Sequence, residues 1–141
     1  MIQLLGLIAY IILAAILWDK LPPERVAIHF NASGEPDNFA SKTLGTLLFP
    51  LVVYPLFLVM TYFLREPAFA PLLRFSRRGG WKAFAEFTTI MAIGIVIIDS
   101  LVLLYNAGQV PSSWIGYSVW TFLIVTIGMI FRLFWARGEE T

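Results

Sequence analysis

Four stretches of this chain are apolar for about the length of a helix that crosses a bilayer. They are Ile2–Trp18, Thr43–Leu64, Thr88–Tyr105 and Ile115–Trp135. A hydrocarbon core of about 30 Å takes about 20 helical residues. A lone span in lipid must satisfy its own backbone hydrogen bonds, so each stretch is expected to be an α-helix. Of the 141 residues 59% are hydrophobic and 13% charged, against about half and a quarter in soluble domains, which moves the chain toward lipid. The expected fold is an all-α integral membrane protein. Residues 1–141 form one domain, a bundle of four transmembrane helices with a structured extracytoplasmic strand-and-turn loop between helices 1 and 2. The first span has no Lys or Arg before it, and "LAAILWDK" lacks a small-x-small cleavage site, so it reads as a retained helix rather than a signal peptide.

Charge sets the expected orientation. Arg65, Arg74, Arg77, Arg78 and Lys82 lie between the second and third spans, and Arg132 and Arg137 lie at the end of the fourth. The 19–42 loop holds only Lys20, Arg25 and Lys42 against four acids, and the 106–114 loop holds no charge. The positive-inside bias then puts both termini in the cytoplasm and both of these loops outside, in a multi-pass protein of the cell membrane. Trp114, Tyr117 and Trp120 suit an outer aromatic belt, and Phe134 and Trp135 an inner one. The segment 69–87 mixes basic residues with Phe69, Phe75, Trp81, Phe84 and Phe87, as a connector in the headgroup layer would, and Gly79–Gly80 is expected to break it. The net charge of +1 gives no reason to expect nucleic acid as a partner. With no cysteine, disulfides, thiolate metal sites and cysteine nucleophiles are excluded.

Within the spans, Pro50 and Pro55 are expected to kink the second helix. Asp99 sits about 9 Å, or six residues, from the outer end of the third. An acid there is costly unless paired, protonated or wetted. Thr88, Ala92, Ile95, Asp99 and Asn106 share a helical face that should turn inward. Asp99 then reads as a relay, a counter-charge to the outer loop, or a protonated hydrogen-bonded acid. On the fourth span Ser118, Thr121, Val125, Gly128 and Arg132 form a stripe suited to close helix packing.

The 24-residue loop between the first two spans is long for a bare connection. In "RVAIHFN" an extended segment would send Val26, Ile28 and Phe30 one way and Ala27, His29 and Asn31 the other. "ASGEPD" then supplies turn formers: Gly34 takes positive φ readily and Pro36 fixes its own. Ser41 is expected to cap the second helix. His29 is the chain's only histidine. It and Asp37 are the weak candidates for a divalent metal, with Asn31 assisting, although a firm site wants three or four ligands. Glu24, Glu35 or a second subunit of a homo-oligomer would have to complete it. Otherwise His29 and Asp37 pin the turn, or join Lys42 in holding a polar headgroup or peptide.

"HFNASGEPDNFASK" resembles the signature of a bacterial membrane domain of unknown function, which occurs alone and as the N-terminal portion of SdpI-type immunity proteins. The matching positions over residues 23–42 are Pro23, His29, Phe30, Asn31, Gly34, Pro36, Asp37, Phe39, Ser41 and Lys42. The family often has proline where Ala27 stands, and glycines where Asn38 and Ala40 stand. The resemblance covers the first third to half of the chain, helix–loop–helix, and two further spans follow where the immunity proteins carry an additional domain.

Three functions compete. The leading expectation is a non-catalytic membrane protein that binds a protein or peptide partner through its outer loop, immunity-like or envelope-associated. His29, Asn31, Asp37, Lys42 and Asp99 would be the contact residues, and Pro23, Phe30, Gly34, Pro36, Phe39 and Ser41 the frame. The second is metal-dependent or acid–base activity by His29, Asp37 and Asp99, although no G-x-S-x-G or H-E-x-x-H is present and no cofactor is called for. The third is a small transporter or channel subunit with Asp99 as relay, without the internal repeat common in transporters.

Overall fold

The computed structural model describes residues 2–48, 52, 54, 56, 59 and 78–138. Helix α1 spans Ile2–Leu17 and tightens into a 3₁₀ turn, Trp18–Lys20. Strands β1 (Arg25–Phe30) and β2 (Pro36–Ser41) form an antiparallel hairpin. Helices α2 (Arg78–Asn106) and α3 (Ser113–Gly138) follow. Three helical stretches are long and apolar enough to cross a membrane: Gln3–Lys20, Phe84–Asn106 and Ser113–Arg132. Residues 44–48 are also helical, as are Val52, Tyr54, Leu56 and Val59. The rest of the second expected span, with Pro50 and Pro55, lies outside the described residues, as do Arg65, Phe69, Arg74, Phe75 and Arg77.

Pairings along the helices fix their relative directions. Gln3 Nε2 donates to Thr89 Oγ1 at 3.1 Å, and the C-terminal end of α1 shares a core with Leu103, so α1 and α2 run parallel. Helices α2 and α3 run antiparallel. Arg132 meets Glu86 at 2.7 Å, and the Thr126 hydroxyl meets Met91 Sδ at 3.5 Å. Nearer the hairpin, the Phe122 ring fills the notch at Gly94, where any added Cβ would overlap it. Two tyrosines step down α1 in the opposite sense. The Tyr10 hydroxyl donates to the Leu47 carbonyl at 2.8 Å, and the Tyr54 hydroxyl to the Gln3 carbonyl at 2.5 Å.

The buried core lies at the hairpin end. Tyr10, Ala14, Leu17 and Leu21 recur at near-helical spacing and enclose Val26, Leu47 and Leu103. Elsewhere the helices expose large side chains such as Ile16, Val52, Ile124 and Phe131, as lipid-facing surfaces do.

Several local expectations are corrected. Gly79 and Gly80 do not break the chain but lie in the first turn of α2, where the amides have no intrahelical acceptor to lose. The small-residue stripe of α3 does not pack closely. An added Cβ at Gly128 would meet nothing, while Ser118, Thr121 and Val125 line an open groove of about 350 Å³ against α2. Close packing falls instead to Phe122, on the neighbouring face. The cap of the helical segment at 44–48 is Thr43, not Ser41: Thr43 Oγ1 accepts from the Thr46 amide at 3.1 Å. Ser41 belongs to β2, and its carbonyl accepts from the Thr46 hydroxyl.

Candidate functional site

The hairpin is built around two irregularities. Ala27 pairs with Phe39 and His29 with Asn38, so Ile28 is an extra residue in β1. His29 to Phe30 then spans Asn38 to Pro36, so Asp37 is an extra residue in β2. A bulge inserts one unpaired residue and redirects side chains. The expected alternation therefore fails. Val26 and Ala27 are both buried, whereas Ile28 and His29 are both exposed. The bulged Asp37 aims its carboxylate at His29, and Nδ1 to Oδ1 is 2.5 Å. This pair is open to solvent, with side chains 67% and 44% exposed.

The turn is held from within. Asn31 Oδ1 accepts from the amides of Ser33 at 2.9 Å and Glu35 at 3.0 Å, and Gly34 adopts φ +80°. Asn31, a candidate contact residue, thus has its carbonyl committed to the turn. Lys42 is committed as well: its ammonium lies 4.9 Å above the Trp18 ring and 3.4 Å from the Leu21 carbonyl. The backbone bond from Lys42 to Glu24 closes the base of the hairpin.

Four contacts fasten this hairpin to the ends of α2 and α3. The side-chain amide of Asn106 accepts from the Ala27 amide at 2.7 Å and donates to the Ala27 carbonyl at 2.9 Å, in the manner of a neighbouring strand. Phe30 meets Tyr105 edge to face, with centroids 5.2 Å apart. The Trp120 indole donates to the Ala32 carbonyl at 3.2 Å. Gly34 sits against Gly116 so closely that a Cβ on Gly34 would lie 2.8 Å from the Ser112 carbonyl. Of these helix residues, the sequence drew attention to Asn106 and Trp120 only as members of a face and a belt. The i, i+4 spacing of Gly116 and Trp120 was the available signal for a docking seat on α3.

Beneath the hairpin lies a cavity of about 710 Å³ between α1, the hairpin, the segment after Thr43 and α2. Tyr10, Val26, Ile28, Val102 and Leu103 supply much of its wall, and Asp99 enters it from α2. Neither His29 nor Asp37 lines it. Among the described residues, no three His, Asp or Glu side chains gather as a metal site. The three acid–base candidates therefore divide into an outward His29–Asp37 pair and a separate Asp99.

Residues 5–53 match a family model described as "Domain of unknown function (DUF1648)". The match takes in most of α1, the whole hairpin and the start of the second apolar stretch. It supports a membrane-domain family of unknown function for this part of the chain. No curated protein and no solved structure matches the chain.

Proposed function

We propose that this protein is a non-catalytic, four-span membrane protein with both termini in the cytoplasm, and that it binds a peptide or protein partner at the outer face through the hairpin. The observation that carries the reading is the fastening of the hairpin to two helices at once. Asn106 and Tyr105 hold it from α2, and Gly116 and Trp120 from α3. A loop that only connects two spans needs no such attachment, whereas a recognition surface gains from being ordered before its partner arrives. The opposite side leaves Phe39 and the His29–Asp37 pair exposed.

A fourth crossing by the second apolar stretch is supported by chain direction. The hairpin ends beside the C-terminal end of α2, and the chain must return to the other end to begin α2. Leu47 beside Tyr10 and Tyr54 beside Gln3 step in that direction. The basic residues at 65–82 and 132–137 then favour a cytoplasmic position for the end opposite the hairpin. The resemblance to SdpI-type immunity proteins suggests the class of partner, a membrane-active peptide or the protein that carries it.

The reading is tested by deleting the host gene and challenging cells with membrane-active peptides and envelope stress. Increased sensitivity is expected, restored by the wild-type chain and not by a chain with Phe39→Ser and Asp37→Asn on the outer hairpin surface. Unchanged sensitivity on deletion, or full restoration by that variant, overturns it.

A further inference from the structure

Asp99 is the feature that the hairpin surface does not explain. It lies seven residues before the end of α2, or about 10 Å along the helix at 1.5 Å per residue. Among the described residues no donor or cation pairs with its carboxylate, and no buried side-chain oxygen is left without a partner, so its oxygens open into the cavity. The other polar side chains among the described wall residues are engaged. The Tyr10 hydroxyl is bonded to Leu47, the Thr43 and Thr46 hydroxyls to each other, and the Asn106 amide to Ala27 and Val102. Among the described residues that line the space none is basic.

The cavity is thus a mostly apolar space into which opens one carboxyl group that no described residue pairs. Its volume of about 710 Å³ falls within the range of about 300–1,000 Å³ usual for small-molecule sites. A bare divalent ion would want six or more oxygens, and one carboxylate, with no second acid among the described wall residues, does not offer them. A proton alone would neutralise Asp99 but leave the chamber unexplained. An ammonium group on an apolar body answers both features. Its charge pairs with Asp99 where the dielectric is low, and its body lies against Ile28 and Val102, apolar wall residues that the core leaves open.

We propose that the chamber under the hairpin binds a small organic cation, an ammonium on an apolar body, with Asp99 as its counter-charge. This rests on the reading of the hairpin as a fixed outer element, and it makes the hairpin the roof of a ligand site as well as a contact surface.

The test uses the full chain in lipid nanodiscs, with phenethylammonium as probe and 2-phenylethanol as its neutral counterpart, followed by ligand-observed NMR. Empty nanodiscs are subtracted for partition into lipid. Saturable binding of the amine is expected. The neutral alcohol, and the amine with Asp99→Asn, should each bind weaker by about tenfold or more, the loss of one charge pair in a low-dielectric site. Asp99→Glu should restore amine binding, which separates a missing charge from a misfolded chain. No saturable amine binding, equal binding of the alcohol, or undiminished binding by Asp99→Asn overturns the proposal. Outer-surface variants at Phe39 and Asp37 should leave amine binding unchanged. A failed challenge experiment with intact amine binding therefore removes the partner reading alone, and the reverse result removes this one alone.

Discussion

Asn106, the last residue of α2, exchanges two hydrogen bonds with the backbone of Ala27 in the first strand of the hairpin, at 2.7 and 2.9 Å. A side-chain amide carries a donor and an acceptor spaced like those of a peptide group, so it completes a strand edge as a second strand would. Its amide nitrogen also donates to the Val102 carbonyl, which steadies it. The edge of the hairpin that would otherwise stay unpaired is thereby tied to the end of α2.

Asn106→Leu should loosen the hairpin without disturbing the spans. It leaves the Ala27 amide and carbonyl unpaired in a partly buried position, a loss of about 1–3 kcal/mol. Thermal unfolding in detergent should fall accordingly, and hydrogen exchange at the Ala27 amide should accelerate while that of α2 stays slow. Unchanged exchange at Ala27 would mean that the amide bridge holds nothing.

Gly34→Ala strikes the other attachment. A φ of +80° strains any residue with a Cβ by about 1–2 kcal/mol, and here the Cβ also meets the Ser112 carbonyl at 2.8 Å. The turn should lift from α3 and become a site of proteolytic nicking between residues 31 and 35. Gly116→Ala, whose Cβ would lie 3.3 Å from the Gly34 Cα, should act in the same direction but less strongly. A protease-resistant Gly34→Ala protein would argue against the close seat.

Inside the bundle, Gly94→Ala should destabilise the α2–α3 contact because the Phe122 ring occupies the space. Overpacking costs about 1–3 kcal/mol. Phe122→Leu vacates the notch, so the double variant should recover part of the loss, and a double-mutant cycle would show coupling. Strict additivity would mean that the two residues do not touch.

His29→Ala should change stability by only about 0–1 kcal/mol, because both partners of the pair are well exposed and solvent screens them. The measurement is the unfolding midpoint beside the peptide-challenge phenotype. A lost phenotype with an unmoved midpoint would assign His29 to recognition. A large drop in midpoint would make the pair a structural pin instead.

The helices were legible because their cause is crude: apolar length alone decides that a segment suits lipid. The first strand and the turn at Gly34 were legible in outline, but the second strand was not, because Pro36 reads as a turn former and yet opens β2, and the hold of Asn31 on the turn was missed. The faces of the hairpin were not legible either. Period-two reasoning assumes unbroken pairing, and the extra residues Ile28 and Asp37 change the parity of each strand with no local signal in either. Asp99 was conspicuous as an acid among apolar residues, but its separation from His29 and Asp37 is a property of the tertiary arrangement. The tight packing at Gly94 was equally hidden. Phe122 fits there by shape, whereas the stripe of small residues at Ser118, Thr121, Val125 and Gly128 faces open space.

The account depends most on a hairpin fixed outside the membrane at the ends of two helices. The native chain has no cysteine, so Ser33→Cys places a single thiol at the exposed turn. Intact cells treated with a membrane-impermeant maleimide should label this position fully, with no gain on permeabilisation. Labelling that appears only after permeabilisation would put the hairpin in the cytoplasm and contradict the account.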